Sequence, residues 1–382
     1  MAGLIWICMS VLVSVAGYLI TPDSSPFANQ QNLEIATRKP GFTVDMLLIR
    51  HNAEQPKHTL LGTLLRGRQP AHGQTPIQSH WFAADSVYYE VFSGQEGYPG
   101  LTTGIPVWDV IYAIPHDHKP VRLNTTDSLL INDIEGNTYI RSVAGMIDEV
   151  QRYHIKQQTF LLGTDRFGRD MVSQLVIGMR VSLSVGFIAV FISLIIGITL
   201  GSIAGYYRGR ADNFIVWLIN VVWSIPTLLL VIAITFAIGK GFWQVFLAVG
   251  LTMWVEVARV VRGQIISVRE KEYVEAARAL GFSDLRIIGR HILPNIMGPV
   301  IVISAANFAS AILIEAGLSF LGIGVQPPMP SWGTMIRDHY GFIILNKGYL
   351  AFLPGIMIMV MVMAFMLAGN GLKDALDKTA AS

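Results

Sequence analysis

The chain contains 382 residues, of which 52% are apolar and only 14% are charged. An average soluble domain is about one quarter charged, so this balance favours a protein surrounded by lipid. The formal net charge is only +2, which excludes a strongly basic surface unless an equally acidic one offsets it. We therefore expect no nucleic-acid partner. The single cysteine, Cys8, cannot form an internal disulfide.

Six apolar stretches are long enough to cross a bilayer, which requires about 20 helical residues, or about 17 where the bilayer adapts. They cover residues 4–20, 181–206, 213–238, 242–258, 297–320 and 349–369. The sequence therefore predicts an all-α polytopic membrane protein with six transmembrane helices. No basic residue precedes the first stretch, so we expect a retained helix rather than a cleaved leader, and a start codon further upstream.

Basic residues predict the orientation of these spans, because lysine and arginine in short loops stay on the cytoplasmic side. Residues 259–295 contain seven of them, whereas residues 321–348 contain only Arg337 and Lys347. We therefore place residues 259–295 in the cytoplasm and residues 21–179 outside.

The segment between the first two spans is polar enough to form a water-soluble domain. Its β-branched and aromatic residues predict strands at Val44–Arg50, Val87–Phe92 and Val107–Ile114, and a hairpin of Ser128–Ile134 with Thr138–Val143. The predicted organisation is a first transmembrane helix at 1–20, an inserted extracytoplasmic α+β domain at 21–160, and a five-helix core at 161–382. Six aromatic residues of the insertion either contact a partner or fill its core: Trp81, Tyr88, Tyr89, Tyr98, Trp108 and Tyr112.

The cytoplasmic segment Glu272–Asn295 is amphipathic and too polar to be buried in lipid. Helix-forming residues run from Lys271 to Leu280, and Gly281 offers a helix terminus. Ser283 can cap a second helix, whose apolar residues Leu285, Ile288 and Ile292 recur at helical spacing. The pattern predicts a helix, a turn and a second helix at the inner face of the membrane.

This segment resembles the EAA signature of ABC importer permeases. The matching residues are Glu275, Ala276, Ala277, Gly281, Leu293 and Pro294. His291 stands where the signature usually has isoleucine, which is the form typical of the peptide and nickel importer subfamily. The resemblance extends over residues 160–377 through LGTDRFGRDMVSQLVIGMRVSL, AGYYRGRAD and ILIEAGLSFLGIGVQPPMPSWGTM, and is closest to the C-type permease of dipeptide and oligopeptide importers. The alternative is an interfacial helix without a partner.

The resemblance implies a type I permease core in a bacterial inner membrane, with no catalytic residues and no cofactor. It implies a second homologous permease subunit, two ATP-binding-cassette ATPases that dock on the helix around Glu275, and an extracytoplasmic solute-binding protein. The implied solute is a short peptide, with nickel or another metal complex as an alternative. The inserted domain has no counterpart in the resemblance, and we expect it to help dock the binding protein. A secondary transporter driven by an ion gradient is a further alternative, which would need membrane carboxylates.

The segment Gly163–Asp170, GTDRFGRD, superficially follows a phosphate-binding loop. Arg169 and Asp170 replace the lysine and hydroxyl residue that such a loop requires, and the segment lies on the outer side. We therefore predict no ATP site in this chain. Within the family pattern the segment resembles the entry to the core domain, where Asp165 and Arg169 can pair.

Small residues and prolines in the spans predict packing and bending. Gly197, Gly201 and Gly205 recur every fourth residue, so another helix backbone can approach closely there. Pro226 and Pro354 remove backbone hydrogen bonds and can kink their helices, either as gates or as static bends.

Two kinds of ionisable residue remain. Glu256 and Glu315 are the acidic residues of the predicted spans. A carboxylate there either handles solute or protons, or makes structural hydrogen bonds and ion pairs. We place Glu256 near an inner helix end, close to Arg259. His116 and His118 either bind a metal or lie in a solvated turn.

Overall fold

The computed structural model describes residues 1–54, 56, 59–94, 98–115, 119–123, 127–239 and 241–380, with side chains up to Ala375. These residues form two compact units. One consists of Val15–Ile177, and the other of Met1–Ser14 with Gly178–Ser382. Helix α1 (Ala2–Ile20) begins in the unit that contains Met1–Ser14 and ends in the unit Val15–Ile177.

As far as the structure describes it, the unit Val15–Ile177 contains two antiparallel sheets and three complete α-helices, all of them short. Its elements in chain order are β1 (Phe42–Arg50), α2 (Leu60–Arg66), β2 (His72–Ala83), β3 (Ser86–Val91), β4 (Thr102–Pro106), α3 (Val107–Ile111), β5 (Val121–Leu123), β6 (Ser128–Asn132), β7 (Thr138–Ser142), α4 (Val143–Glu149) and β8 (Ile155–Phe160). The larger sheet has the order β4-β3-β2-β1-β8, and the smaller one β5-β6-β7. Leu47, Val87 and Ile131 belong to a buried core that both sheets share with α3 and α4. The α+β character of the insertion is therefore confirmed.

The strand predicted at Val107–Ile114 is wrong, because these residues begin with helix α3. Val107 and Val110 are both fully buried, as residues three apart on one helix face are, whereas a strand would point them to opposite sides. The predicted strands at Val44–Arg50 and Val87–Phe92 correspond to β1 and β3. The predicted hairpin corresponds to the antiparallel pair β6 and β7.

The other unit is built from helices of different lengths. They are α5 (Met171–Tyr207, which begins in the first unit), α6 (Gly209–Trp223), α7 (Thr227–Ile238), α8 (Phe242–Val268), α9 (Glu272–Ala279), α10 (Asp284–Arg286), α11 (Leu293–Phe320), α12 (Trp332–His339) and α13 (Tyr349–Ala380). A π-helical turn, Ile287–Ile292, joins α10 to α11, so that helical structure continues from Asp284 to Phe320. Among the described residues, five helical segments are long and apolar enough to span a bilayer, and α6 with α7, bent by 92°, can form a sixth. This agrees with the predicted six-helix membrane protein.

The helices extend beyond the apolar stretches that identify them. Helix α8 continues about ten residues past the predicted end at 258, because its basic residues find partners near the bundle. The Arg262 guanidinium donates to both Asp212 carboxylate oxygens, at 2.5 and 2.8 Å, and Arg259 lies 3.9 Å above the Trp223 ring. Hydropathy marks the lipid-facing part of a helix, not its end.

Helix α12 was not foreseen from the sequence. It begins with a capping box in which the Ser331 hydroxyl accepts from the Thr334 N–H and the Thr334 hydroxyl accepts from the Ser331 N–H. Trp332, Met335 and His339 are buried. The Ser-x-x-Thr spacing after a proline-rich stretch was the available signal.

Candidate functional site

The segment that carries the EAA-like residues forms a short helix with a defined end. Helix α9 terminates at Gly281, which has φ +77°, a conformation that side-chain-bearing residues rarely adopt. The Gly281 N–H donates to the Arg278 carbonyl at 3.0 Å, and the Phe282 N–H donates to the Ala277 carbonyl at 3.2 Å. This pair of bonds is a Schellman motif, which reverses the chain directly after the helix.

One face of α9 is buried against the bundle. Val274 and Ala277 are 0% and 4% exposed and belong to a core cluster with residues of α8 and of the π-helical turn. The cluster also includes Val261, Ile265 and Ile292. Helix α9 therefore packs in one cluster with residues of α8 and α11.

Polar contacts attach the same segment to the end of α5. The Tyr206 hydroxyl donates to Asp284 Oδ1 at 2.8 Å, and Arg269 Nη1 donates to the Tyr206 carbonyl at 2.6 Å. The Arg278 guanidinium lies 5.7 Å from the Tyr206 ring centroid. Hence α9 is connected to three membrane helices through a buried face and a tyrosine.

The opposite face of α9 is exposed. Glu275 and Ala276 are exposed, and the neighbouring apolar residues Tyr273, Leu280 and Leu285 are 43%, 73% and 82% exposed. Within the described part of the chain, the Glu275 carboxylate makes no ion pair. Such a combination of exposed apolar side chains and a carboxylate is typical of a protein-docking surface. The helix that carries it is fixed by the packing of its other face.

The remaining signature residues lie at the base of this surface. Leu293, at the start of α11, packs against the core cluster, and Pro294 is exposed beside it. His291 stacks on the Phe282 ring at 5.8 Å between centroids, which explains how a polar residue replaces an aliphatic one there.

Two details of the predicted second helix need correction. Ser283 occupies the N-cap position, but its hydroxyl makes no capping bond; its carbonyl accepts from the Ile287 N–H at 2.9 Å instead. Leu285 does not share the buried face of Ile288 and Ile292, because the π-helical turn that starts at Ile287 changes the helical register.

The glycine stripe of α5 lies against α8. A Cβ added to Gly197 would lie 2.9 Å from the Trp254 carbonyl oxygen, and one added to Gly201 would lie 2.6 Å from that of Ala258. One added to Gly205 would lie 2.9 Å from that of Arg262. Only glycine allows this backbone separation, because any side chain would overlap a carbonyl that helix geometry holds in place.

The two prolines occupy different settings. Pro226 directly precedes α7, at the 92° break between α6 and α7. Pro354 lies in the second turn of α13, which continues without interruption from Tyr349 to Ala380. Only the first of the two therefore coincides with an interruption of helical structure.

The two membrane carboxylates also differ. Glu315 is fully buried and hydrogen-bonded to Ser182 at 3.3 Å, to Ser319 at 2.7 Å and to Ser331, so it connects α5, α11 and the start of α12. Glu256 lies in the middle of α8, not at an inner helix end, because the helix continues to Val268. It lines a cavity of about 320 Å³ beside Trp223 and Ile225 at the break between α6 and α7.

The segment Gly163–Asp170 packs against the chain that follows α1. The predicted ion pair is confirmed: Arg169 donates to Asp165 Oδ2 at 2.6 and 2.7 Å, and both residues are buried. Gly163 and Gly168 both have positive φ, and an added Cβ would overlap the backbone of Arg38 or of Asn32. Burial raises the pKa of the Asp170 carboxyl, although hydrogen bonds from Ser173 oppose this. The glycines thus serve close backbone packing.

The aromatic residues of the insertion divide into two groups. Tyr89 is buried, and Trp108 and Tyr112 pack against the same core. Trp81, Tyr88 and Tyr98 are 46%, 37% and 64% exposed, and the first two stack at 5.9 Å between centroids. His116 and His118 lie outside the described residues.

Together these features define a class of protein: a multi-pass membrane protein that presents a rigidly held, exposed helix outside its apolar bundle. A family model described as binding-protein-dependent transport system inner membrane component matches residues 197–381. A dipeptide transport system permease protein of Alkalihalophilus pseudofirmus is 44% identical over 215 residues, which are 56% of this chain and 70% of that protein. The chain belongs to this family, the permease subunits of ABC importers.

Two further similarities were found. A glutathione transport system permease protein of Pectobacterium atrosepticum is 39% identical over 216 residues, which are 56% of this chain and 71% of that protein. The solved MetNI methionine ABC transporter, in inward-facing conformations, matches 54% of this chain and 97% of its own with 20% identity and a TM-score of 0.46. The chain is thus a transport subunit of a bacterial inner membrane rather than an enzyme, and its family works with ATPase and binding-protein partners.

Proposed function

We propose that this chain forms half of a pore that imports short peptides, driven by ATPases that dock on α9. The observation that carries the proposal is the two-faced helix α9, with Val274 and Ala277 buried in the bundle and Glu275 exposed. Dipeptides and glutathione, itself a tripeptide, are named for its relatives, which supports a short peptide as the solute here.

The proposed mechanism is alternating access. Closure of an ATPase pair displaces α9, and the core cluster carries that movement into α8 and α11. The Schellman turn at Gly281 keeps α9 and the following helix at a defined angle, so that the two move together. A second homologous permease completes the pore, two ATPases bind below it, and a solute-binding protein delivers peptide from outside.

The proposed role of the insertion is to help position the binding protein. Trp81, Tyr88 and Tyr98 supply exposed aromatic area, which is enriched in the energetic centres of protein interfaces. The buried Tyr89 is excluded from this role and belongs to the core.

Substitutions in α9 test the coupling. Gly281→Val forces a branched residue into φ +77°, which costs about 1–2 kcal/mol, and Glu275→Lys reverses the exposed charge. Both variants should lose ATP-driven uptake of a labelled dipeptide in proteoliposomes that contain the assembled importer. ATP hydrolysis should no longer respond to peptide, because the stimulation by peptide also passes through α9.

Matched controls separate coupling from folding. Gly281→Asn should retain uptake, because asparagine tolerates positive φ. Gly289→Val should also retain it, because Gly289 is exposed, has no positive φ, and has no atoms near the position of a Cβ. Normal uptake by assembled Gly281→Val and Glu275→Lys complexes would refute the coupling role of α9. Uptake of a nickel complex but not of peptide would refute the proposed solute alone.

A further inference from the structure

Helix α2 presents an exposed apolar face on the unit Val15–Ile177. Leu60, Leu61 and Leu65 are 73%, 70% and 58% exposed. At 100° per residue these three side chains fall within one side of the helix, so they form a continuous leucine surface. We call Leu60, Leu61 and Leu65 the leucine face.

The helix that carries this face is well formed. The Thr59 hydroxyl accepts from the Gly62 N–H at 3.1 Å and caps its start. Gly67 ends it with φ +78°, and the Gly67 N–H donates to the Thr63 carbonyl at 2.9 Å. The exposure of the leucines is therefore a property of a capped helix and not of irregular chain.

The position of α2 is set by the end of the first membrane span. The Arg68 N–H donates to the Ser24 carbonyl at 2.8 Å, four residues beyond the last residue of α1. A Cβ on Gly67 would lie 2.8 Å from the same carbonyl oxygen and 3.0 Å from the Tyr18 ring. Since α2 is about 10 Å long at 1.5 Å per residue, all of it lies close to the level at which α1 leaves the bilayer.

Positive charge surrounds the leucine face. Arg50 and Arg68 line a cavity of about 610 Å³ together with Leu19 of α1 and with Leu60 and Thr63 of α2. Arg66 is exposed in the last turn of α2. As far as the structure describes the chain, none of these three arginines is ion-paired. Guanidinium groups bind phosphate oxygens strongly, and an apolar face flanked by basic residues is the pattern of an interfacial membrane helix.

We propose that α2 is a membrane anchor: its leucine face inserts into the outer leaflet of the bilayer beside α1, while Arg50, Arg66 and Arg68 bind phospholipid phosphates. The anchor holds the extracytoplasmic unit against the membrane surface, which limits its rotation about the end of α1. A lipid partner accounts for both the exposed leucines and the arginines beside them.

Depth measurement by spin labelling tests this proposal in the 382-residue chain. In a Cys8→Ser background, a nitroxide is attached at Leu61→Cys, with Ile140→Cys on β7 as the matched control, because Ile140 is also an apolar residue and is 63% exposed. The protein is reconstituted in nanodiscs of phosphatidylethanolamine and phosphatidylglycerol. Power saturation then compares collisions with oxygen, which enters lipid, and with a water-soluble nickel chelate.

At Leu61 the label should collide with the nickel chelate at least five-fold less often than at Ile140, and more often with oxygen. Arg66→Glu with Arg68→Glu should reduce that protection at least two-fold, whereas Arg152→Glu, at an exposed site elsewhere on the unit, should leave it unchanged. Equal chelate accessibility at Leu61 and Ile140 would overturn the proposal. So would protection at Leu61 that arises only when the solute-binding protein is added, since the leucine face would then be a protein-docking surface.

Discussion

Replacing Gly201 by alanine should destabilise the bundle although alanine is the better helix former. The added Cβ would lie 2.6 Å from the Ala258 carbonyl oxygen and 2.9 Å from Val261 Cβ, whereas unstrained carbon contacts are about 3.5–4 Å. Overpacking of this kind costs about 1–3 kcal/mol, and the helix propensity of alanine offsets about 1 kcal/mol of it. We expect a net loss of up to about 2 kcal/mol, which is as much as roughly a 30-fold change in the unfolding equilibrium.

Gly263→Ala is the matched control for this change. Gly263 lies in the partner helix α8, and no atom lies within 4 Å of the position of its Cβ, so only the gain in helix propensity, about 1 kcal/mol at most, applies. Unfolding of both purified variants is followed in mild detergent by circular dichroism. If Gly201→Ala proved as stable as Gly263→Ala, the close approach of α5 and α8 would be refuted.

Two further predictions concern the unit Val15–Ile177. Asp165→Asn should lower the stability of this unit by about 3–5 kcal/mol, because it leaves the buried Arg169 without a charged partner. Asp148→Asn, which removes an exposed pair with Arg152, should change the stability by less than about 1 kcal/mol. The protease resistance of the two variants measures the difference. The pKa of His72 is lowered from 6.5 to about 4, chiefly by burial and then by the charges of His154, Arg50, His51 and Lys156. Between these two pH values the unfolded chain binds a proton there that the folded chain does not. Stability contributed by neutral His72 should therefore be fully present above pH 6.5 and decline as the pH falls towards 4. His72→Gln should flatten the dependence of the melting temperature on pH in that window, and an unchanged slope would contradict the assignment.

Much of this architecture could be predicted from local sequence. Long apolar stretches identify spans because lipid requires about 20 apolar helical residues in succession, whatever they pack against. The end of α9 was also predictable, because Gly281 adopts a positive φ that other residues avoid. These signals are local, so a single sequence carries them.

Other features depend on partners distant in the chain. The continuation of α8 to Val268 relies on Asp212 and Trp223, which receive Arg262 and Arg259. Val107–Ile111 has strand-forming residues, but burial of Val107 and Val110 on one side favours a helix there. The 92° angle between α6 and α7 could not be predicted either. Pro226 marks the start of α7, but a proline at a helix start does not fix the direction of the helix before it.

Photo-crosslinking from the exposed face of α9 tests the central claim most directly. A photoreactive amino acid replaces Leu280, which is 73% exposed beside Gly281, or Leu345, which is 63% exposed in the segment between α12 and α13. The complete importer is illuminated in membranes, and adducts are identified by mass. The account predicts a crosslink to the ATPase subunit from position 280 and none from position 345. An ATPase adduct from position 345 but not from position 280 would contradict it.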